Sequence, residues 1–359
     1  MDRPKVTVYL STYNQQEYVA QALDSILMQK TNFRFEILAA DDCSTDDTQK
    51  IILQYQKQYP NIIQTYFTNP NVGGCKKLTN CIDMGLFRGE YLAYLEGDDY
   101  WLEEDRLHTL VDFLEKHPEY SRVSHQRLIV NEKAEQIGLD VPEEVLNKKF
   151  TIEDFLEGKD YSDFASVFRN YFLEAGNKYH PLLLASRNVC DFQDMFITQD
   201  FGPVYVMDRC FAVYRARSIP GASNYNSITS TRSRSIDHIL ICRAVEEFYH
   251  GKYDLTPMIE YHQQRLLNDA VTRQSNQVFE EIREYISSEQ LRKLAPLEMY
   301  LALRGRRKTE AKFLWSQLTQ EEKHGFALSF SRCVCLRIWN KIRGTTPNTA
   351  LRGYIIKPL

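Results

Sequence analysis

The chain has 359 residues, of which 43% are hydrophobic and 26% charged, with a formal net charge of −4. That is a globular balance with room for one large domain and a smaller one. It excludes the basic excess of a nucleic-acid binder, and no run reaches the roughly 18 apolar residues that a membrane span needs.

The opening "MDRPKVTVYLSTYN" has no long apolar run, so we expect no signal peptide. Its "KVTVYLSTYN" is β-branched and aromatic and reads as a strand ending in a polar loop. "QEYVAQALDSILMQ" has apolar residues at Val19, Leu23, Ile26 and Leu27, a helical spacing. "FEILAADDCSTDDT" is a second strand ending in acids, with Ser44 or Asp46 as expected cap of the helix "TQKIILQYQKQY". "IIQTYFTN" is a third strand, "KKLTNCIDMGLF" a helix and "GEYLAYLEGDD" a fourth strand. This alternation predicts an α/β fold with an open, mostly parallel sheet. Ligands of such sheets bind outside the carboxyl ends of the strands. There the sequence sets three polar clusters, "STYN" (11–14), "ADDCSTDD" (40–47) and "EGDDYW" (96–101).

Further along, "EDRLHTLVDFLEKH" reads as a helix and "SRVSHQRLIVNE" as a strand. "TIEDFLEG" is a short helix capped by Thr151, "VCDFQDMFITQDFG" a helix closed by Gly202, and "PVYVMDRCFAVYRARS" a strand pair. The polar stretch 221–235 marks a boundary, which gives domains 1–233 and 234–359. The second of these reads as helical, from "IDHILICRAVEEFYHG" to "FALSFSRCVCLRIWNKIRG". Residues 292–359 hold 14 Lys+Arg against 4 Asp+Glu, while the remainder holds 30 against 44. A basic tail on an acidic body suggests an anionic partner such as a membrane surface, or a solvated helical appendage. The eight cysteines form no CxxC pair and point to a reduced, cytoplasmic protein.

The chemistry concentrates in "YLEGDDYW", where Glu96, Asp98 and Asp99 crowd one glycine at a strand end. Like charges that close repel unless something positive relieves them. A hard divalent cation takes one or two carboxylates and completes its shell with substrate phosphates. Asp98 is therefore a candidate metal ligand; the bland reading makes Asp98 and Asp99 caps of the following helix.

The blocks "VTVYLSTYNQQEYVAQALDSILMQ", "EILAADDCSTDDT", "NPNVGG" and "GEYLAYLEGDDYW" resemble, in order and spacing, the family-2 glycosyltransferases of the GT-A fold. The resemblance is close over residues 5–110 and looser over 111–220. It implies a GT-A catalytic domain, a nucleotide-sugar donor (a UDP-sugar first) and inverting transfer to a hydroxyl of a saccharide acceptor, lipid- or protein-linked. A cofactor, Mn²⁺ or Mg²⁺, is implied at Asp98. Carried over residue by residue, Thr12 and Tyr13 line the base and Asp41 meets its ring. Glu96 corresponds to the first acid of the DxD motif, and Asp99 to the second of its DD pair. Lys76 or Lys77 faces the diphosphate, and Arg215 the diphosphate or the acceptor. The general base falls on Asp191, with Asp194 as rival one helical turn on. His125, Arg169 and Arg217 are weaker acceptor candidates. The resemblance further suggests bacterial polysaccharide assembly at the inner face of the membrane, with self-association through the helical domain as another role for it. A nucleotidyltransferase is disfavoured because "STYNQQEY" has neither Gly nor Lys/Arg. A non-catalytic scaffold of the same fold is the remaining alternative.

Overall fold

The computed structural model describes residues 3–331, apart from 132, 160, 162–164, 190, 217–230, 325 and 327–328. Two compact units result, Met1–Ile228 and a second beginning at Thr229.

The first unit opens with β1 (Val6–Thr12), α1 (Val19–Leu27), β2 (Phe35–Asp41), α2 (Thr48–Gln58), β3 (Ile63–Phe67), α3 (Gly74–Asp83) and β4 (Tyr91–Glu96). The register sets Thr12 beside Asp41 and Ser11 beside Glu96. β1 is buried along nearly its whole length, which explains its unbroken apolar reading: strands covered on both faces do not alternate. Val6, Val8 and Leu10 pack with Leu23 and Ile26 of α1 and with Leu107 and Leu110 of α4 (Arg106–Lys116). Each such fully buried aliphatic side chain stabilises the fold by about 1.5–3 kcal/mol.

The sheet then continues through β5 (Tyr100–Trp101), β6 (Arg122–Val130), β7 (Gln136–Leu139), β8 (Lys148–Phe150), β9 (Val167–Arg169) and β10 (Val204–Arg215). Its order is β3-β2-β1-β4-β9-β6-β10-β5, with β7 beside β6 and β8 beside β10. β3, β2, β1 and β4 run parallel; β9 runs antiparallel to both β4 and β6. The short helices α5 (Ile152–Leu156), α6 (Phe172–Ala175) and α7 (His180–Leu183) precede α8 (Asp191–Gln199). Thr151 and Asp154 form a capping box at α5.

Three local expectations change. Residues 204–215 form one strand with register shifts around Cys210 rather than a strand pair. Ser44 is not a cap of α2 and braces the β1 loop instead; the cap position is Asp47, but it is the Asp46 carboxylate that accepts from Thr48 N, the first amide of the helix, at 3.0 Å. Asp98 and Asp99 cap no helix, because Tyr100–Trp101 pairs with β10 and α4 starts after Asp105.

The second unit is helical among its described residues: α9 (Thr231–Phe248), α10 (Thr256–Arg273), α11 (Asn276–Ile282), α12 (Ser288–Arg304), α13 (Lys308–Gln317) and α14 (Gln320–Lys323). Leu266, Leu267, Phe279, Leu291 and Leu314 are fully buried in it. Ser287 and Gln290 close a capping box on α12. Among the described residues no helix is long and apolar enough to cross a membrane. The basic tail invoked for membrane contact lies from residue 332 outside the described residues, as does Arg217.

Candidate active site

The carboxyl edges of β1, β2 and β4 bring the three polar clusters together. Gly97 is required at the turn after β4: a Cβ there would come within 2.5 Å of Gln15 Oε1 and 2.7 Å of the Thr12 methyl. That close approach lets the loop carrying Asp98 lie against the loop after β1, where Gln15 Nε2 donates to Asp98 Oδ1 at 2.9 Å.

Asp99 points the other way. Its Oδ1 accepts from the Arg215 amide at 2.9 Å and its Oδ2 from Arg127 Nη1 at 3.3 Å. Arg127 also grips Asp140 at 2.6 Å and stacks on Tyr214. Arg215 donates to the Asp98 carbonyl and to Gln21 Oε1, and its guanidinium lies over Tyr18 and Tyr100. The acidic turn is thus clamped from β6 and β10, while Glu96 stays half-buried at its mouth.

These carboxyls are held in a costly state. Burial first, then repulsion from Asp98 and Asp99, pushes Glu96 up to about 8. Burial and Asp98 push Asp99 up to about 7, against the opposing pull of Arg127. Asp191 adds to the field at Glu96, so the first residue of α8 lies within electrostatic reach of the acidic turn.

α8 is positioned by the segment before it. Arg187 O accepts from Cys75 N at 3.1 Å, and Arg187 Nη2 donates to Asn71 Oδ1 at 2.6 Å. Val189 O accepts from Gln193 Nε2 and from the Cys75 thiol. Asp42 holds the other side of this joint, accepting from Val72 N at 2.9 Å and Gly73 N at 2.8 Å. Asp191 is exposed, and its Oδ1 accepts from Phe192 N at 2.9 Å. Asp194 is different: it is buried and bonded to both Arg122 and the Tyr171 hydroxyl. A carboxylate neutralised in that way is not an available base.

The remaining sequence candidates separate. Thr12 is buried and donates to Asp41 Oδ2 at 2.9 Å, while Tyr13 is half-buried beside it. Asp41 is fully buried, and Thr12, Ser44 and Gln49 supply its donors, the last at 2.6 Å, so a base ring reaches it only if the Gln49 amide turns away. Lys77 is buried and donates to Ser11 Oγ, Thr12 O and Ala40 O, which makes it a brace of the strand ends. Lys76, next to it, is exposed.

Two acceptor candidates fail. His125 is fully buried; its Nε2 accepts from Arg106 Nε at 2.9 Å, which leaves Nδ1 protonated and donating to Gln126 O at 2.7 Å. Burial and Arg106 hold its pKa well below the usual histidine range. Arg169 pairs across from Tyr91, at the opposite end of β4 from Glu96, and spends its guanidinium on the carbonyls of Leu114 and Tyr120. Conversely, Gln15 and Arg127 belong to the site and were missed. Nothing local marks Arg127, whose partners are 28 and 13 residues away.

The donor set fits a hard divalent cation. The turn brings carboxylates together, their repulsion is only partly offset by Arg127 and Arg215, and among the described residues no group of three His, Cys, Asp or Glu could hold a metal ion, so a cation here would rest on one or two carboxylates. One or two carboxylates sharing a cation with substrate phosphates is the arrangement such oxygens serve.

Known proteins resemble the chain in sequence and in fold. The profile of the family described as Glycosyl transferase family 2 matches residues 7–176. An uncharacterized protein of Mycobacterium tuberculosis (strain ATCC 25618 / H37Rv) is 38% identical over 121 residues, which is 34% of this chain and 34% of that protein. The chain thus spans about a third of the length of the curated relatives it matches first. The EpsE protein of Bacillus subtilis (strain 168), which bears a provisional glycosyltransferase name, is 29% identical over 235 residues, 59% of this chain and 82% of that protein. In fold, the structure of S. aureus TarS 1-349, determined in complex with UDP-GlcNAc, superposes with a TM-score of 0.53 at 15% identity over 96% of this chain and 93% of that one. The mixed, mostly parallel sheet is therefore that of the GT-A fold, and within the first unit residues 7–176 match the model of glycosyl transferase family 2.

Proposed function

We propose that the protein is an inverting, metal-dependent glycosyltransferase that moves a sugar from a UDP-sugar to a hydroxyl of a saccharide acceptor. The observation that carries this reading is the pairing of a crowded acidic turn at Glu96–Asp99 with an exposed carboxylate, Asp191, that acts on it electrostatically. Asp98 would hold Mn²⁺ or Mg²⁺, whose charge offsets that of the departing diphosphate. Arg215 and exposed Lys76 would add positive charge on the donor side. Tyr13 would line the base, and Asp41 would receive its ring after Gln49 moves. Glu96 would face the ribose.

Asp191 would take the proton of the acceptor hydroxyl as that oxygen attacks the anomeric carbon opposite the leaving diphosphate. A single displacement needs one base and no second carboxylate nucleophile, which matches one exposed acid on α8 and a neutralised Asp194. One relative's name supports a saccharide product: TuaG of Bacillus subtilis bears a provisional name as a glycosyltransferase of teichuronic acid biosynthesis.

The test is transfer from radiolabelled UDP-sugars by wild type and Asp191→Asn. We expect kcat to fall by about 10²–10⁴-fold with donor affinity kept, the contribution of one positioned base. Unchanged transfer by Asp191→Asn removes Asp191 from that role.

A further inference from the structure

We infer that Gln15 is a positioning residue for the divalent cation, its side-chain amide orienting the Asp98 carboxylate. The role rests on the metal-dependent reading above and adds to it a residue that acts through Asp98.

The backbone that carries Gln15 is fixed independently of its side chain. Gln15 N donates to Thr48 Oγ1 at 2.7 Å, and its carbonyl accepts from the amides of Tyr18 and Val19 at 3.0 and 2.9 Å, where α1 begins. On one side Asn14, at a φ of 52°, donates from N to Ser44 Oγ at 2.8 Å and accepts at Oδ1 from Thr45 N at 2.8 Å. On the other side Gln16 N donates to Asp46 Oδ2 at 3.2 Å, and Gln16 Oε1 accepts from Asp47 N at 3.0 Å. The loop after β1 is thereby stitched to the loop after β2, and Gln15 enters the interior with 7% of its surface exposed.

The amide has one orientation that satisfies both of its ends. Oε1 accepts from Tyr13 N at 3.4 Å, so Nε2 faces Asp98 and donates to Oδ1 at 2.9 Å. A flipped amide would set its oxygen against a carboxylate oxygen, two acceptors with no proton between them. Gly97 packs against the same amide, where a Cβ would come within 2.5 Å of Oε1. Gln15 also differs in kind from the group that meets the neighbouring acid, since Arg127 reaches Asp99 with a formal charge. An amide orients a carboxylate without cancelling the charge that attracts a cation. Loss of an outer partner of this type lowers metal affinity by about 10–100-fold.

The test is Mn²⁺ binding to the full chain without nucleotide, followed by the loss of the free-ion electron paramagnetic resonance signal. Wild type, Gln15→Met, Gln15→Asn, Gln16→Ala and Asp98→Asn are compared, each first melted in metal-free buffer. Gln15→Met keeps the length of the side chain and removes the donor. Gln15→Asn keeps the amide but falls one methylene short of Asp98, and it decides alone should Gln15→Met fail to fold. We expect Mn²⁺ to bind wild type, with binding lost in Asp98→Asn and weakened about 10–100-fold in both Gln15 variants. Gln16→Ala, which alters the exposed neighbour in the same loop, should bind as wild type does. Equal affinity in wild type and the Gln15 variants, with binding lost in Asp98→Asn, overturns the role of Gln15 and leaves the metal reading standing. A lowered melting temperature in the Gln15 variants together with that equal affinity makes Gln15 a structural residue only and overturns it as well. No Mn²⁺ binding by wild type, or binding that Asp98→Asn does not alter, overturns both readings together.

Discussion

At the scale of single residues, the acidic turn couples protonation to stability. Glu96 and Asp99 titrate higher in the folded protein than their ordinary values of 4.5 and 3.8. The folded state therefore binds more protons than the unfolded chain between about pH 4 and 8, and stability falls as pH rises through that window. A bound divalent cation reverses the trend by favouring the ionised carboxylates. We expect the metal-free protein to melt at progressively lower temperature from pH 5 to pH 8, with the loss recovered by Mn²⁺ and reduced in Glu96→Gln. A melting temperature that is flat over that range in metal-free buffer contradicts it. The same scale explains what was legible in the sequence. Glu96, Asp98 and Asp99 stand together in one short motif, so their crowding is visible without a structure. Arg127 and Gln15 are ordinary residues of a strand and a loop, and only the register of β6 and the closeness permitted by Gly97 bring them to the acids. Lys76 and Lys77 differ by one position on α3, and the helix alone decides that Lys77 is the buried brace.

At the scale of elements, α8 carries two acids with opposite fates. Asp194 turns inward to Arg122 on β6 and to Tyr171, whereas Asp191 at the first position of the helix stays exposed. Removing one member of a buried pair leaves a charge without compensation, which costs about 3–5 kcal/mol. Asp194→Ala should therefore lower stability by about that amount, while Asp191→Asn, at an exposed site, should stay within about 0.5 kcal/mol. Urea unfolding of both variants measures the difference, and comparable losses from the two would contradict this division of labour. Helical spacing placed both acids one turn apart but could not tell which faced the core, because α8 is buried around most of its circumference, its polar Gln193 and Thr198 included. The fate of Arg169 was hidden for a different reason. A strand inserted antiparallel between two parallel neighbours, as β9 is, reverses which of its ends lies near the ligand edge.

At the scale of the whole molecule, the α/β order of the first unit and the helical second one follow from periodicity in the chain. The long-range clamps do not. In the helical unit, Glu322 accepts from Arg283 at 2.8 Å, from the Ser288 hydroxyl and from Thr319 N, tying α14 to the end of α11 and the start of α12. Despite burial, these donors pull Glu322 down to about 2, so its contribution is present above about pH 4.5 and is lost as pH falls towards 2. Glu322→Gln should cost about 1.5–3 kcal/mol near neutral pH, the worth of hydrogen bonds to a charged group, and the deficit should shrink in acid. Thermal melts of the full chain at pH 7 and pH 3 check this; a deficit of equal size at both would rule out the charged clamp.

The measurement that bears most directly on the central claim is nucleotide binding followed by thermal shift, with UDP, GDP, dTDP and CMP, each with and without Mn²⁺. Ligand at about 100 times its dissociation constant adds about 2.7 kcal/mol of apparent stability, a shift of several degrees for a domain of this size. The account predicts that UDP raises the melting temperature only when Mn²⁺ is present and that Asp98→Asn abolishes the effect. Stabilisation that is independent of the metal and unchanged in Asp98→Asn, or none with any nucleotide, would contradict it.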